Sequence, residues 1–104
     1  MKSRKAIDLL TICRKAGKLV CGFDSSVAAA ADGTARCTLA ASDASQKTVK
    51  ELAFKCSAYG CPHYITDFTV DETEERFGKR FSVFAVCDKG FANAFEKLCG
   101  KSEE

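Results

Sequence analysis

Arg14-Lys15-Ala16-Gly17-Lys18-Leu19-Val20-Cys21-Gly22-Phe23-Asp24-Ser25 reads as the end of a basic helix, a glycine stop, a short strand, a second glycine and a new helix start. Gly17 suits a helix C-terminus, where a positive φ is wanted. Gly22 suits a turn at which backbone must approach something closely. Asp24, Ser25 and Ser26 are predicted to bond the first free amides of the helix that follows. A helix start carries partial positive charge and unpaired N–H groups, and Arg14, Lys15 and Lys18 precede this one. The combination invites an anion such as phosphate.

Working outward, the N-terminal side predicts a helix capped by Ser3 and running to about Ala16, with Ala6, Leu9, Leu10, Cys13 and Ala16 on one face. On the C-terminal side, residues 24–32 form an alanine-rich helix ended by Gly33. Arg36 to Ala41 reads as a strand in which Cys37, Leu39 and Ala41 alternate in part with Arg36 and Thr38. The turn formers Ser42, Asp43 and Ser45 come next. They open a helix buried through Val49, Leu52, Ala53 and Cys56, with Lys47, Lys50 and Glu51 pointing away and Gly60 as its stop. Pro62 to Phe68 is a predicted strand. Thr69 and Glu72 form a capping box for a short helix ending at Gly78. Phe81 to Cys87 is the most strand-like run in the chain. Asp88 then caps a last helix carrying Phe91, Phe95 and Leu98 on one face and ended by Gly100.

Strands alternating with helices predict an α/β domain with helices on both faces of a small, parallel or mixed sheet. The 104 residues are expected to form one domain over 1–100, with 101–104 as a loose tail. No run of 18 apolar residues occurs, so no membrane partner is expected.

The net charge of +2 conceals an uneven distribution. Within residues 1–20, six cations face Asp8 alone, whereas Asp71, Glu72, Glu74 and Glu75 crowd together later. One face should therefore be positive. The cysteine count is seven, an odd number, and most lie among apolar neighbours. That fits buried thiols in a reducing cytoplasm better than a disulfide framework.

Catalysis has little support. His63 is the single histidine, and nothing in the spacing sets Cys56, Cys61 or a serine against it as a nucleophile. Cys56, Cys61 and His63 do not follow a zinc pattern, and no metal is expected. Gly17 and Gly22 are too far apart for a phosphate-loop or dinucleotide fingerprint. Nucleic-acid binding fares better, because it needs cations for phosphates, backbone donors for register, and aromatic surface for unstacked bases. The Gly22–Ser26 corner offers donors; Arg14, Lys15 and Lys18 offer charge. Lys79, Arg80 and Phe81 offer charge beside a ring that could equally belong to the core. Loops at one edge of an α/β sheet commonly converge.

Three stretches, R-K-A-G-K-L-V-C-G-F-D at 14–24, A-S-D-A-S at 41–45 and C-D-K-G-F-A at 87–92, resemble the bacterial YlxQ-type proteins of the kink-turn-binding ribosomal protein superfamily, the L-seven-Ae and L-thirty-e group. The likeness runs from about Arg4 to Leu98. It implies a three-layer α/β/α sandwich with a small four-stranded mixed sheet. It also implies structured RNA, ribosomal or kink-turn, as partner, with neither catalysis nor cofactor. The chain is expected to act as a monomer. By the same resemblance, the second helix start at Gly22, Phe23, Asp24, Ser25 and Ser26 enters the RNA groove. The loop at Lys79, Arg80 and Phe81 covers flipped-out nucleotides, and Asp43, Ser45 and Val49 make supporting contacts.

The sequence departs from the signature Gly-x-Asn-Glu-x-x-Lys at three places. Asp24 stands for the asparagine and lacks its amide donor. Ser25 stands for the glutamate, and Ala28 for the lysine. Each lost base-directed contact is worth roughly 1–3 kcal/mol, so the departures lower kink-turn selectivity and leave general RNA affinity to Arg14, Lys15, Lys18 and Arg80. Gly22-Phe23-Asp24 is usual in the YlxQ-type branch, which makes Ala28 the sharper departure. The other functional class open to this sequence is a protein-interaction module that keeps the fold without RNA.

Overall fold

The computed structural model of the protein describes residues 4–99. The expected cap at Ser3, the stop at Gly100 and the tail at 101–104 lie outside the described residues. The elements are α1 (Lys5–Lys15), β1 (Leu19–Cys21), α2 (Phe23–Ala31), β2 (Cys37–Ala40), α3 (Gln46–Tyr59), β3 (His63–Ile65), α4 (Val70–Phe77), β4 (Val83–Val86) and α5 (Lys89–Cys99). The sheet order is β1-β4-β2-β3. β4 runs antiparallel to both neighbours, with Cys21 opposite Phe84 and Leu39 opposite Phe84, while β2 and β3 are parallel. Three strands therefore point one way and β4 alone returns.

Period-two alternation assigns the layers. On β4, Phe84 and Val86 enter a core with Ile7, Leu10 and Cys13 of α1 and Phe95 of α5. Val83 points the other way, into a core with Ala30 of α2 and Leu52 and Cys56 of α3. Helices thus cover both faces, giving the three-layer α/β/α sandwich around a four-stranded mixed sheet. The two central strands are buried at every residue. Thr38, expected to alternate outward, is fully buried in consequence, with its hydroxyl 3.2 Å from the Cys56 sulfur.

The predicted strands are trimmed. β3 stops at Ile65 rather than Phe68, because β2 has no more backbone to offer beyond Ala40. Thr66 takes the Ala40 carbonyl with both its N–H and its hydroxyl, at 2.9 and 3.0 Å. Phe68 then leaves the sheet and fills the α1-side core. β2 and β4 likewise shed their end residues to turns. Leu98 does not share the buried face of Phe95. It sits in the last turn of α5, exposed, in a groove that Ile65 also lines.

Helix α4 carries the capping box that Thr69 and Glu72 predict. Glu72 N–H donates to Thr69 Oγ1 at 3.2 Å, and Thr69 N–H donates to the Glu72 carboxylate at 2.9 Å. Thr69→Ala is expected to cost about 1 kcal/mol, read as a lower urea midpoint at unchanged slope. An unshifted midpoint would mean that Asp43, which accepts from Val70 N–H at 3.0 Å, holds the helix start unaided.

Candidate nucleic-acid interface

Because β1, β2 and β3 run the same way, helices α2, α3 and α4 all begin at one end of the sheet. Backbone bonds stitch their starts into a single rim. Gly22 N–H donates to the Val83 carbonyl at 2.8 Å, Ala41 N–H to Ser82 at 2.9 Å, and Ser42 N–H to Phe68 at 2.8 Å. The corner at Gly22, the turn at Asp43–Ser45 and the loop at Lys79–Phe81 are thereby brought together from distant parts of the chain. Gly22, Phe23, Asp24, Ser25, Ser26, Asp43, Ser45, Val49, Lys79, Arg80 and Phe81 all belong to this end of the molecule.

The three helix starts differ in what occupies them. Ser45 Oγ accepts from Thr48 N–H at 3.1 Å and caps α3. The box described above caps α4. Helix α2 has no side-chain cap. Its N-cap is Gly22, at φ 100° and ψ 152°, a backbone conformation suited to glycine. The expected capping by Asp24, Ser25 and Ser26 does not occur. The chain turns at Gly22 itself, so the helix starts at Phe23 and those residues fall inside its first turns. Ser26 points inward instead, fully buried, with no partner for its hydroxyl. The first amides of α2 are thus left to solvent or to a ligand, at the positive end of the helix dipole.

The rim is electrostatically mixed. Arg80 Nη1 lies 2.7 Å from Asp71 and 2.8 Å from Glu74. Its hydrogen bonds to Asp71, then to Glu74, push its pKa upward. The arginine is therefore shared between two carboxylates of α4. Phe81 is half-buried and packs edge-on to Phe84 at 6.1 Å between centroids, with its carbonyl accepting from Thr73 at 2.9 Å. Its ring is anchored in the core, as the plainer reading of the sequence had it.

Lys15 and Lys18 are not gathered at Gly22, although they precede it; Arg14 does come near Cys21 on the edge strand, where its charge acts on the thiol. Helices α1 and α2 lie in opposite layers. Lys18 accepts through its carbonyl from Cys87 N–H at 2.9 Å, which places it at the far end of the sheet. The extended chain from there to Gly22 spans about 13 Å. Arg14 stacks over the Phe77 ring at 4.6 Å, and Lys15 shares that α1–α4 seam with Thr11 and Arg76.

Two further cations, Lys47 and Lys50, which the sequence predicts to point away from the core, stand exposed at the rim on the first turns of α3. No ion pair engages either among the described residues. The signal was present in the Ser45 cap just before them, but its meaning needed the strand directions.

The thiols are poorly suited to chemistry. Burial first, then neighbouring charges, pushes Cys13 and Cys37 up to about 12 and Cys61 up to about 11. Such groups stay protonated near neutrality, so they are weak nucleophiles and weak ligands. Cys56 is fully buried and His63 half-buried on β3. Among the described residues, no three metal-ligating side chains gather, and no helix is long and apolar enough to cross a membrane.

Compared with protein-family models, the chain matches none. Among solved structures it is similar to a protein of unknown function from Bacillus halodurans, at TM-score 0.82 and 28% identity over 92% of this chain and 97% of that one. The 15.5 kD RNA-binding protein of Giardia lamblia shares the fold, at TM-score 0.75 and 15% identity over 99% of this chain and 91% of that one. Among curated proteins it is 33% identical over 95 residues to RNA-binding protein YlxQ of Enterococcus faecium, covering 91% of each chain. Identity at that level along almost the whole of both sequences means that this chain belongs to the YlxQ family.

Proposed function

We propose that this chain is a non-catalytic cytoplasmic protein that binds structured RNA through the rim of helix starts. The observation that carries the reading is the uncapped start of α2, held by Gly22 at the same end of the sheet as the capped starts of α3 and α4. It presents backbone donors and a positive dipole end where loops from three parts of the chain meet, an arrangement suited to phosphate. The relative's name, RNA-binding protein YlxQ, supports the same partner, and seven free thiols fit a reducing compartment. Phosphate contacts come from the α2 amides, Lys47, Lys50 and Lys79, with Arg14 reaching the rim along the edge strand. With Ser25 and Ala28 in place of the family's glutamate and lysine, binding is general rather than selective for kink-turns.

Filter binding over a salt series tests this reading. Log affinity for a structured RNA should fall linearly with log salt, by about 0.9 for each phosphate neutralised. A kink-turn RNA and the same duplex without its G·A pairs should bind alike. Asp71→Asn with Glu74→Gln releases Arg80 from its carboxylates and should tighten binding several-fold, because the acids compete with phosphate for the same guanidinium. Absence of binding at low salt would end the RNA reading. The exposed, uncharged Ala28 and Ala31 of α2 would then mark a protein-docking face.

A further inference from the structure

The opposite end of the sheet, where β2 and β3 begin and β4 ends, plays no part in the reading above. There a cavity of ≈ 250 Å³ opens between the starts of β2 and β3 and the first turns of α5, lined by Arg36, Cys37, Tyr64, Lys89, Asn93 and Glu96 among others. Its volume is small for a ligand site and suits one nucleotide, not a duplex.

The cleft is polarised. Lys89, Asn93 and Glu96 succeed one another along a single face of α5, with about 10 Å of helix between the first and the last. Arg36 N–H donates to the Val86 carbonyl at 2.7 Å, which sets Arg36 beside the Lys89 end. Among the described residues no ion pair or hydrogen bond engages the side chain of either cation. Glu96 lies at the other end, near Tyr64, whose phenol is pushed upward in pKa by burial and then by the charge of Glu96. Two unpaired cations form a seat for phosphate. A carboxylate beside an amide, one helical turn or more away, matches a base edge carrying adjacent N–H donors and a carbonyl. Guanine has that edge. Adenine and cytosine would each turn a ring-nitrogen lone pair toward a carboxylate.

We propose that this cleft binds a guanine nucleotide, with its phosphate between Arg36 and Lys89 and its base edge against Asn93 and Glu96. The nucleotide is either an unpaired guanosine of an RNA or a free guanosine monophosphate. Neither source requires the helix-start rim, so this proposal and the RNA reading stand or fall separately.

Titration of the nitrogen-15-labelled protein with the monophosphates of guanosine, adenosine and cytidine tests it. Guanosine monophosphate should give saturable shifts at the amides of Arg36, Cys37, Lys89 and Asn93, roughly tenfold tighter than the other two. Glu96→Gln should remove the preference and keep the phosphate-dependent part. Arg36→Ala with Lys89→Ala should weaken all three nucleotides alike, bringing them toward the affinity of unphosphorylated guanosine. These side chains are at the surface, so the amide spectrum of each variant should otherwise match the parent. A single-stranded oligonucleotide with one internal guanosine that binds tighter than the monophosphate assigns the RNA source, and the reverse order assigns the free nucleotide. Equal responses to all three bases, or shifts confined to residues 22–26 and 79–82, would overturn the proposal.

Discussion

Phe84→Ala is expected to cost about 3–5 kcal/mol, the largest stability loss of any single substitution considered. Phe84 is 0% exposed on a central strand. Its ring meets Phe68 at 5.8 Å and Phe77 and Phe81 at 6.1 Å, each edge-on. Those three rings come from the turn before α4, the end of α4 and the rim loop. Removing the fourth leaves a cavity that β2 and β1, hydrogen-bonded on either side, cannot close. Domains of this size are typically stable by roughly 5–15 kcal/mol, so a large share of the reserve would go. Urea unfolding read by circular dichroism checks this; a loss below about 1.5 kcal/mol would show that the layer collapses around the gap. Because Phe81 and Phe77 lean on this ring, the rim loop and the Arg14 stack should loosen with it.

Ala28→Lys is expected to give the largest gain in RNA affinity, about tenfold at low salt, with the salt slope steeper by about 0.9. Ala28 is exposed on α2, on the helix whose first amides are open, and alanine to lysine costs an exposed helix only tenths of a kcal/mol. The added cation stands at the position of the lysine in the kink-turn signature that the sequence resembles, so it should restore part of the charge that Asp24 opposes. Ala28→Glu should do the reverse at equal stability. If neither variant moves affinity or slope, RNA does not run along α2, and the rim reading fails with it. Paired measurements of stability and affinity separate the cases, since both substitutions leave the core untouched.

Much of this molecule is legible in local chemistry. Gly17 marks a helix end that wants positive φ, and the structure has φ 76° there. Gly22 marks a turn, but a Cβ at Gly22 would meet nothing within 4 Å, so its φ of 100°, rather than a close backbone approach, is what calls for glycine. The Thr69–Glu72 box, the Ser45 cap, the Asp88 cap that accepts from Phe91 N–H at 3.0 Å, and the stops at Gly33, Gly60 and Gly78 are all encoded within a few residues. Alternation of helix and strand then sets the fold class, because each element buries one face and only a layered arrangement satisfies them all.

The location of charge was not legible in the same way. Lys15 and Lys18 adjoin Gly22 in sequence, yet a three-residue strand and a change of layer part them, while Arg14 alone reaches back toward Cys21. Lys47 and Lys50 lie far off in sequence and stand at the same rim. Arg80 reads as a free cation until Asp71 and Glu74 close on it. Sequence alone determined how α3, α4 and α5 are capped, since those are contacts over three or four residues, but not the uncapped start of α2 or the ends of the strands. Only the tertiary structure decided which charges face a common surface, because strand direction and layer are set by long-range backbone pairing and by which side chains the two cores accept.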